Sequence, residues 1–170
     1  MNPFQSVVLE KVTLNIGVGE GGENLQNAKT LLERIAGATA VITKARVRNP
    51  TFKIRQGDPI GVKITVRGKS AEAVLKRALE SVDYDVSPKS FDNNGNVSFG
   101  IKEYIDFPGI QYDPKIGMLG FDVCVTLRKA GKRVAFRLIR KSRVGRKQTV
   151  SQQEAHEFMQ EKFAVKFNVE

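Results

Sequence analysis

Residues 60–67 read IGVKITVR, and within them Val62, Ile64 and Val66 alternate with Lys63, Thr65 and Arg67. Side chains two positions apart on a strand share a face, so this run demands a sheet with one face buried and the other left to water and ions. Residues 11–16 repeat the demand, with Val12, Leu14 and Ile16 set against Lys11, Thr13 and Asn15. An apolar sheet face must be covered, and the chain supplies amphipathic helices to cover it. In residues 24–36, Leu25, Ala28, Leu32 and Ile35 fall at helical spacing and Gly37 offers a stop; after Ser70, Ala71, Leu75, Ala78, Leu79 and Val82 do the same. The expected fold class is α+β: a largely antiparallel sheet with helices packed on one face.

The remaining elements follow from local signals. A short strand is expected at 41–44, then a loop at 45–51 around Pro50. A strand at 52–55 would be joined to 60–67 by the turn Gly57-Asp58-Pro59. Residues 85–98, with Pro88, Asn93, Asn94, Gly95 and Asn96, read as a long irregular loop, and strands resume at 99–105 and 120–127. Ala130-Gly131-Lys132 suggests a hairpin turn into a strand at 133–139, where Arg133 and Arg137 share a face opposite Val134, Phe136 and Leu138. Residues 140–149 lack apolar periodicity and are expected to be mobile until bound. Ser151 and Glu154 form a capping box for a last helix, and 164–169 would be a closing strand. No repeat or linker divides the chain, so 1–170 is read as one domain. Cys124 has no disulfide partner and lies in an apolar run, which suggests a small core filler. With no apolar run near the ~20 residues that cross a bilayer and no secretory pattern at the start, no membrane partner is expected and the location is read as cytoplasmic.

Charge narrows the partner. The formal net charge is +10, and the excess is segregated: residues 41–80 hold ten Lys/Arg against three Asp/Glu, and residues 128–150 hold ten against none. Segregated positive charge is the footprint of a polyanion, against the blander reading of a solvated basic face. On the strand at 60–67, Lys63, Thr65 and Arg67 recur at ~6–7 Å, which matches the repeat of phosphates along a nucleic-acid strand. A flat cationic sheet face suits the wide shallow groove of A-form RNA. Stacking platforms are sparse: there is no Trp, and Phe52 and Phe136 read equally as core or as platform.

Catalytic chemistry finds no support. Gly17, Gly19 and Gly22 match G-x-G-x-x-G between a strand and a helix, the pattern of a dinucleotide turn. That mechanism needs an acid at the end of the next strand, where Thr43, Lys44 and Arg46 stand instead, and it needs further βαβ units. His156, the only histidine, lies between Glu154 and Glu157 on the last helix and reads as a partly exposed helix residue. Asp106, Asp113 and Asp122 show no pairing, and no Cys/His cluster indicates a metal. Neither an enzyme nor a cofactor is expected.

LEKVTLNIGVGE at 9–20, TKARVR at 43–48, FKIRQGDPIGVKITVRG at 52–68, FDNNGNVSFGIKEY at 91–104 and FPGIQYD at 107–113 stand in this order. Together they resemble the large-subunit ribosomal protein family conventionally numbered five, which binds 5S ribosomal RNA, and most closely its archaeal and eukaryotic branch. The resemblance implies an α+β fold in the central protuberance, linking 5S ribosomal RNA to the large ribosomal RNA and facing peptidyl-site tRNA. By motif position it implies that Asn15, Thr65 and Arg67 contact 5S ribosomal RNA. The loop 44–53, with Arg46, Arg48, Asn49 and Lys53, would face tRNA, and 93–98 would approach the small-subunit head. Lys44, Lys63, Arg133 and Arg137 join the RNA-binding set on charge. Two departures stand out: Ala38, beside Thr39, occupies a place where the family usually has Gln, and Gln56 one where an acid is common. The rivals from other classes are a free RNA chaperone or translation regulator, and a nicotinamide-dependent enzyme built on Gly17, Gly19 and Gly22.

Overall fold

The structure, a computed structural model, describes residues 5–19 and 21–167. Its elements run β1 (Val7–Gly17), α1 (Glu23–Ala36), β2 (Val41–Lys44), β3 (Pro59–Val66), α2 (Lys69–Glu80), β4 (Asn96–Ile101), β5 (Phe121–Lys129) and α3 (Gln152–Phe163). The five strands form one sheet in the order β2-β3-β1-β5-β4, antiparallel at every pairing. The expected fold class is thus the observed one.

The alternation read in the sequence becomes the sheet's two faces. Val12, Leu14, Ile16, Val62, Ile64 and Val66 are buried, and β5 adds Val123, Val125 and Leu127 from the other side of β1. Onto this surface α1 packs against β3 and α2 against β1, burying Leu25, Leu31, Leu32 and Ile35 from one helix and Val74, Leu75 and Leu79 from the other. Burial of such side chains, at about 25 cal/mol per Å² of apolar surface, holds the layers together. Gly37 ends α1 in the left-handed conformation (φ 63), with its N–H donating to the Glu33 carbonyl. Gly61 serves a different need. A Cβ there would stand 2.6 Å from the Ile16 carbonyl oxygen, so only glycine allows β1, β3 and β2 to lie this close. α3 begins as expected, with the Ser151 side chain accepting from the Glu154 N–H and the Glu154 carboxylate accepting from the Ser151 N–H.

Several sequence expectations need correction. Residues 52–55 do not form a strand: the chain turns from Pro50 to Lys53, which adopts a positive φ of 55, and only Ile54 bridges back, to Asn49. Local chemistry wins there, because the Asn49 side chain accepts from the Thr51 N–H and stabilises a turn. The strand expected at 99–105 begins at Asn96 and ends at Ile101, and a 3-10 turn at Tyr104–Asp106 drives Tyr104 into the core. Asp92 causes the early start, accepting from the backbone of Asn94 and Asn96 and so closing a tight turn into β4.

The strand expected at 133–139 is absent. Gly131 turns left-handed (φ 91) and Lys132–Ala135 forms a 3-10 turn. The reason is topological, because both edges of β5 are already taken by β1 and β4, so a hairpin partner has no free edge. At 164–169 only Lys166 bridges, in parallel with Asp85, and residues 168–169 lie outside the described residues. α2 starts at Lys69 behind Gly68, one residue before Ser70, and ends before Val82. Cys124 is not core: β5 alternates strictly, and Cys124 sits half-buried on the face away from the helices. The His156 ring is sandwiched, 4.2 Å from Phe91 edge-on and 4.8 Å from Phe167 stacked, with a buried Nε2 that has no hydrogen-bond partner.

Candidate nucleic-acid interface

The three α-helices among the described residues lie on the apolar side, which leaves the other face of the sheet to its polar side chains. Strand register sorts these into rows. Thr65, Thr13, Cys124 and Ser98 lie side by side across β3, β1, β5 and β4, and Lys63, Asn15, Asp122 and Gly100 form the next row. Lys11, Thr126 and Asn96 make a third, and Arg67 continues the alternation of β3 one residue past its end. Neighbouring rows are ~6–7 Å apart and neighbouring strands ~4.8 Å, so the face is a regular grid of hydroxyls, amides and cations. Lys63 and Arg67 are exposed, while Asn15 and Thr65 are half-buried at their feet. Cations at this spacing can neutralise successive phosphates, and the amide and hydroxyls between them can bond to sugars and base edges.

The structure therefore brings Asn15, Lys63, Thr65 and Arg67 together. Lys44 stands apart, at the end of edge strand β2 beyond a break in register between Thr43 and Lys44. It forms the root of a projecting loop, 45–58, tied at its base by Ala45 N–H to Asp58 and Gly57 N–H to Ala45. Arg46, Arg48, Asn49 and Lys53 are exposed along it, and Phe52 at its tip is 71% exposed. Phe52 is thus no core residue. An exposed ring on a loop that also carries exposed Arg48 and Lys53 is available as a stacking platform.

Arg133 and Arg137 do not share a strand face. Both are exposed in the irregular chain beyond β5, where the Arg137 Nε donates to the Arg140 carbonyl. Phe136 and Leu138, expected on a buried face, are 66% and 100% exposed. Two cations of the same stretch are turned inward to the fold instead. Lys132 pairs with Glu10 at 2.7 Å, and Lys129, only 6% exposed, pairs with Glu154 at 2.7 Å. Burial alone would push the Glu154 carboxyl up, but Lys129 and the Ser151 N–H outweigh it and hold it below the ordinary carboxylate range.

The polar alternation of 11–16 marks Lys11 and Thr13 for this face, while Asn96 and Ser98 join it because β4 begins within the segment 85–98 that the sequence marks as loop. The glycine pattern at 17–22 has a structural role: the Val18 and Gly19 N–H groups both donate to the Ile60 carbonyl. Among the described residues every strand pairing of the sheet is antiparallel and no βαβ unit forms, so the dinucleotide alternative fails.

The chain matches two family models: that described as ribosomal protein L5 over residues 2–55, and that described as the C-terminus of the same ribosomal family over residues 59–167. It is similar to the large ribosomal subunit protein uL5 of Methanobrevibacter smithii, with 44% identity over the whole of both chains. It is 48% identical to the same-named protein of Sulfurisphaera tokodaii over 97% of this chain and 94% of the relative. For the protein of Pyrobaculum aerophilum the figures are 47%, 96% and 92%. A polar sheet face, a basic loop and full-length matches to archaeal proteins agree, and the chain belongs to the ribosomal L5 family, structural and non-enzymatic proteins of the large ribosomal subunit.

Proposed function

We propose that this protein, as a structural constituent of the large subunit, binds 5S ribosomal RNA through the open face of its sheet. The observation that carries the reading is the uncovered row structure around Asn15, Lys63, Thr65 and Arg67, two-faced in sequence and free of helices in the fold. Lys63 and Arg67 neutralise phosphates and release counterions, while Asn15 and Thr65 set the register with hydrogen bonds. Lys44 guards the edge of this surface. The loop bearing Arg46, Arg48, Asn49 and Lys53 faces peptidyl-site tRNA, and the chain beyond β5, with Arg133 and Arg137, meets the large ribosomal RNA. Residues 93–98 face the small-subunit head, residues 1–170 act as one domain, and the location is the cytoplasm.

Chemical footprinting of 5S ribosomal RNA tests the reading directly. Wild-type protein is expected to protect a compact region, and Arg67→Ala to weaken binding and lower the slope of log affinity against log salt by about one. An unchanged slope with unchanged affinity would remove Arg67 from the surface. Cosedimentation with large subunits, against a free pool at the top of the gradient, separates the ribosomal role from that of a free chaperone.

A further inference from the structure

The five strands carry two carboxylates: Glu10, at the register break of β1, is taken by Lys132 at 2.7 Å, and Asp122 on β5 has no such cation among the described residues. Asp122 is exposed and carries a carboxylate in the row of Lys63 and Asn15. Its neighbour on the far side is Gly100, so no side chain covers that flank; even a methyl group there would come no nearer than 3.6 Å to Oδ1. A shallow hollow opens beside it, lined by Ser98, Phe99, Gly100 and Cys124. Among the described residues no ion pair or side-chain hydrogen bond occupies the carboxylate, and the four ion pairs all lie elsewhere. Its field is nonetheless felt on this face: the Cys124 thiol is pushed up, first by burial and then by the Asp122 charge.

A bare carboxylate on a surface built for phosphates is a physical contradiction unless it faces something else. Like charges in close approach repel several times more strongly beside a protein surface than in open water. A phosphate is therefore turned away from this square of the grid, and a neutral donor is drawn to it. RNA offers such donors in the amino and imino groups of unpaired bases and in the ribose 2′-hydroxyl. Lys63 lies two strands away, at roughly 10 Å, which is within the span of one nucleotide and its phosphate.

Resting on the sheet face as the RNA surface, we propose that Asp122 is a specificity-determining residue that accepts hydrogen bonds from neutral N–H or O–H donors of a bound nucleotide and rejects phosphate. The test compares wild type, Asp122→Asn and Asp122→Ser for binding to 5S ribosomal RNA and to an unrelated duplex RNA across a salt series. Both variants are expected to keep the melting temperature and to bind the duplex as well or better, yet to lose about tenfold or more in preference for 5S ribosomal RNA. A preference unchanged or raised would mean that the carboxylate merely repels, and the inference falls. Wild type that does not itself distinguish the two RNAs would instead overturn the 5S reading. Inosine in place of protected guanosines and 2′-deoxy substitution then separate the two sources: the change that abolishes the difference between wild type and Asp122→Asn identifies the donor, and failure of both overturns the inference.

Discussion

Lys129 shows how a single residue departs from the charge pattern around it. Its side chain is 6% exposed and lies on the core side of β5, where Glu154 holds the ammonium at 2.7 Å. Removing one partner of such a pair leaves a buried charge without compensation, which costs more than the pair contributes. Glu154→Gln is expected to lose about 2 kcal/mol, a fall of roughly 4–8 °C in melting temperature. The pH dependence has a definite sign. The folded carboxyl is held down, so its contribution is present above the ordinary glutamate value of about 4.3 and is lost as pH falls through the lower folded value. Thermal melts of both proteins should therefore differ at pH 7 and converge as the medium is acidified below pH ~4. Charge counting in the sequence could not single out Lys129 from its neighbours, because inward or outward projection depends on the phase of β5. The same phase moved Cys124 from an expected core position to the open face. In the run FDVCV the apolar thiol hid an alternation that Asp122, Thr126 and Arg128 carry plainly.

At the scale of elements, β1 and β3 were legible because alternation fixes a strand's faces without reference to its neighbours. The segment 133–139 was not, since its apolar residues match a strand and only the occupied edges of β5 forbid one. Asn49 and Lys53 likewise settle the fate of 52–55 through turn chemistry that outweighs β propensity. At Gly61 the neighbouring strand leaves no room for a side chain, and Gly61→Ala should cost about 1–3 kcal/mol by thermal melt, because the new Cβ meets the Ile16 backbone rather than a movable side chain. The projecting loop 45–58 buries little beyond Ala45, so its cations can be altered without harm to the core. Arg46→Ala with Arg48→Ala is expected to leave 5S ribosomal RNA affinity within about threefold while weakening tRNA contact. Loss of 5S binding in that double variant, measured by filter binding, would show that loop and sheet face act on one RNA.

For the molecule as a whole, the two family models divide the chain between residues 55 and 59, yet the sheet does not divide there. β1 comes from the first segment and lies between β3 and β5 from the second, while β2 pairs only with β3. Each half alone would expose long strand edges and an uncovered apolar face. Urea unfolding is thus expected to be a single transition, with far-ultraviolet circular dichroism and the near-ultraviolet signal of buried Tyr104 coinciding. Separated midpoints would show two independent units. The interleaving also sets a timetable during synthesis. The strand made first receives its second partner only when Lys129 has been added, so the nascent chain carries an unsatisfied edge through most of translation. At rates of about 5–20 residues per second, that interval lasts on the order of ten seconds. A growing chain of this shape has reason to be shielded by the ribosome that makes it, or by a chaperone at the tunnel exit, before it joins a ribosome of its own.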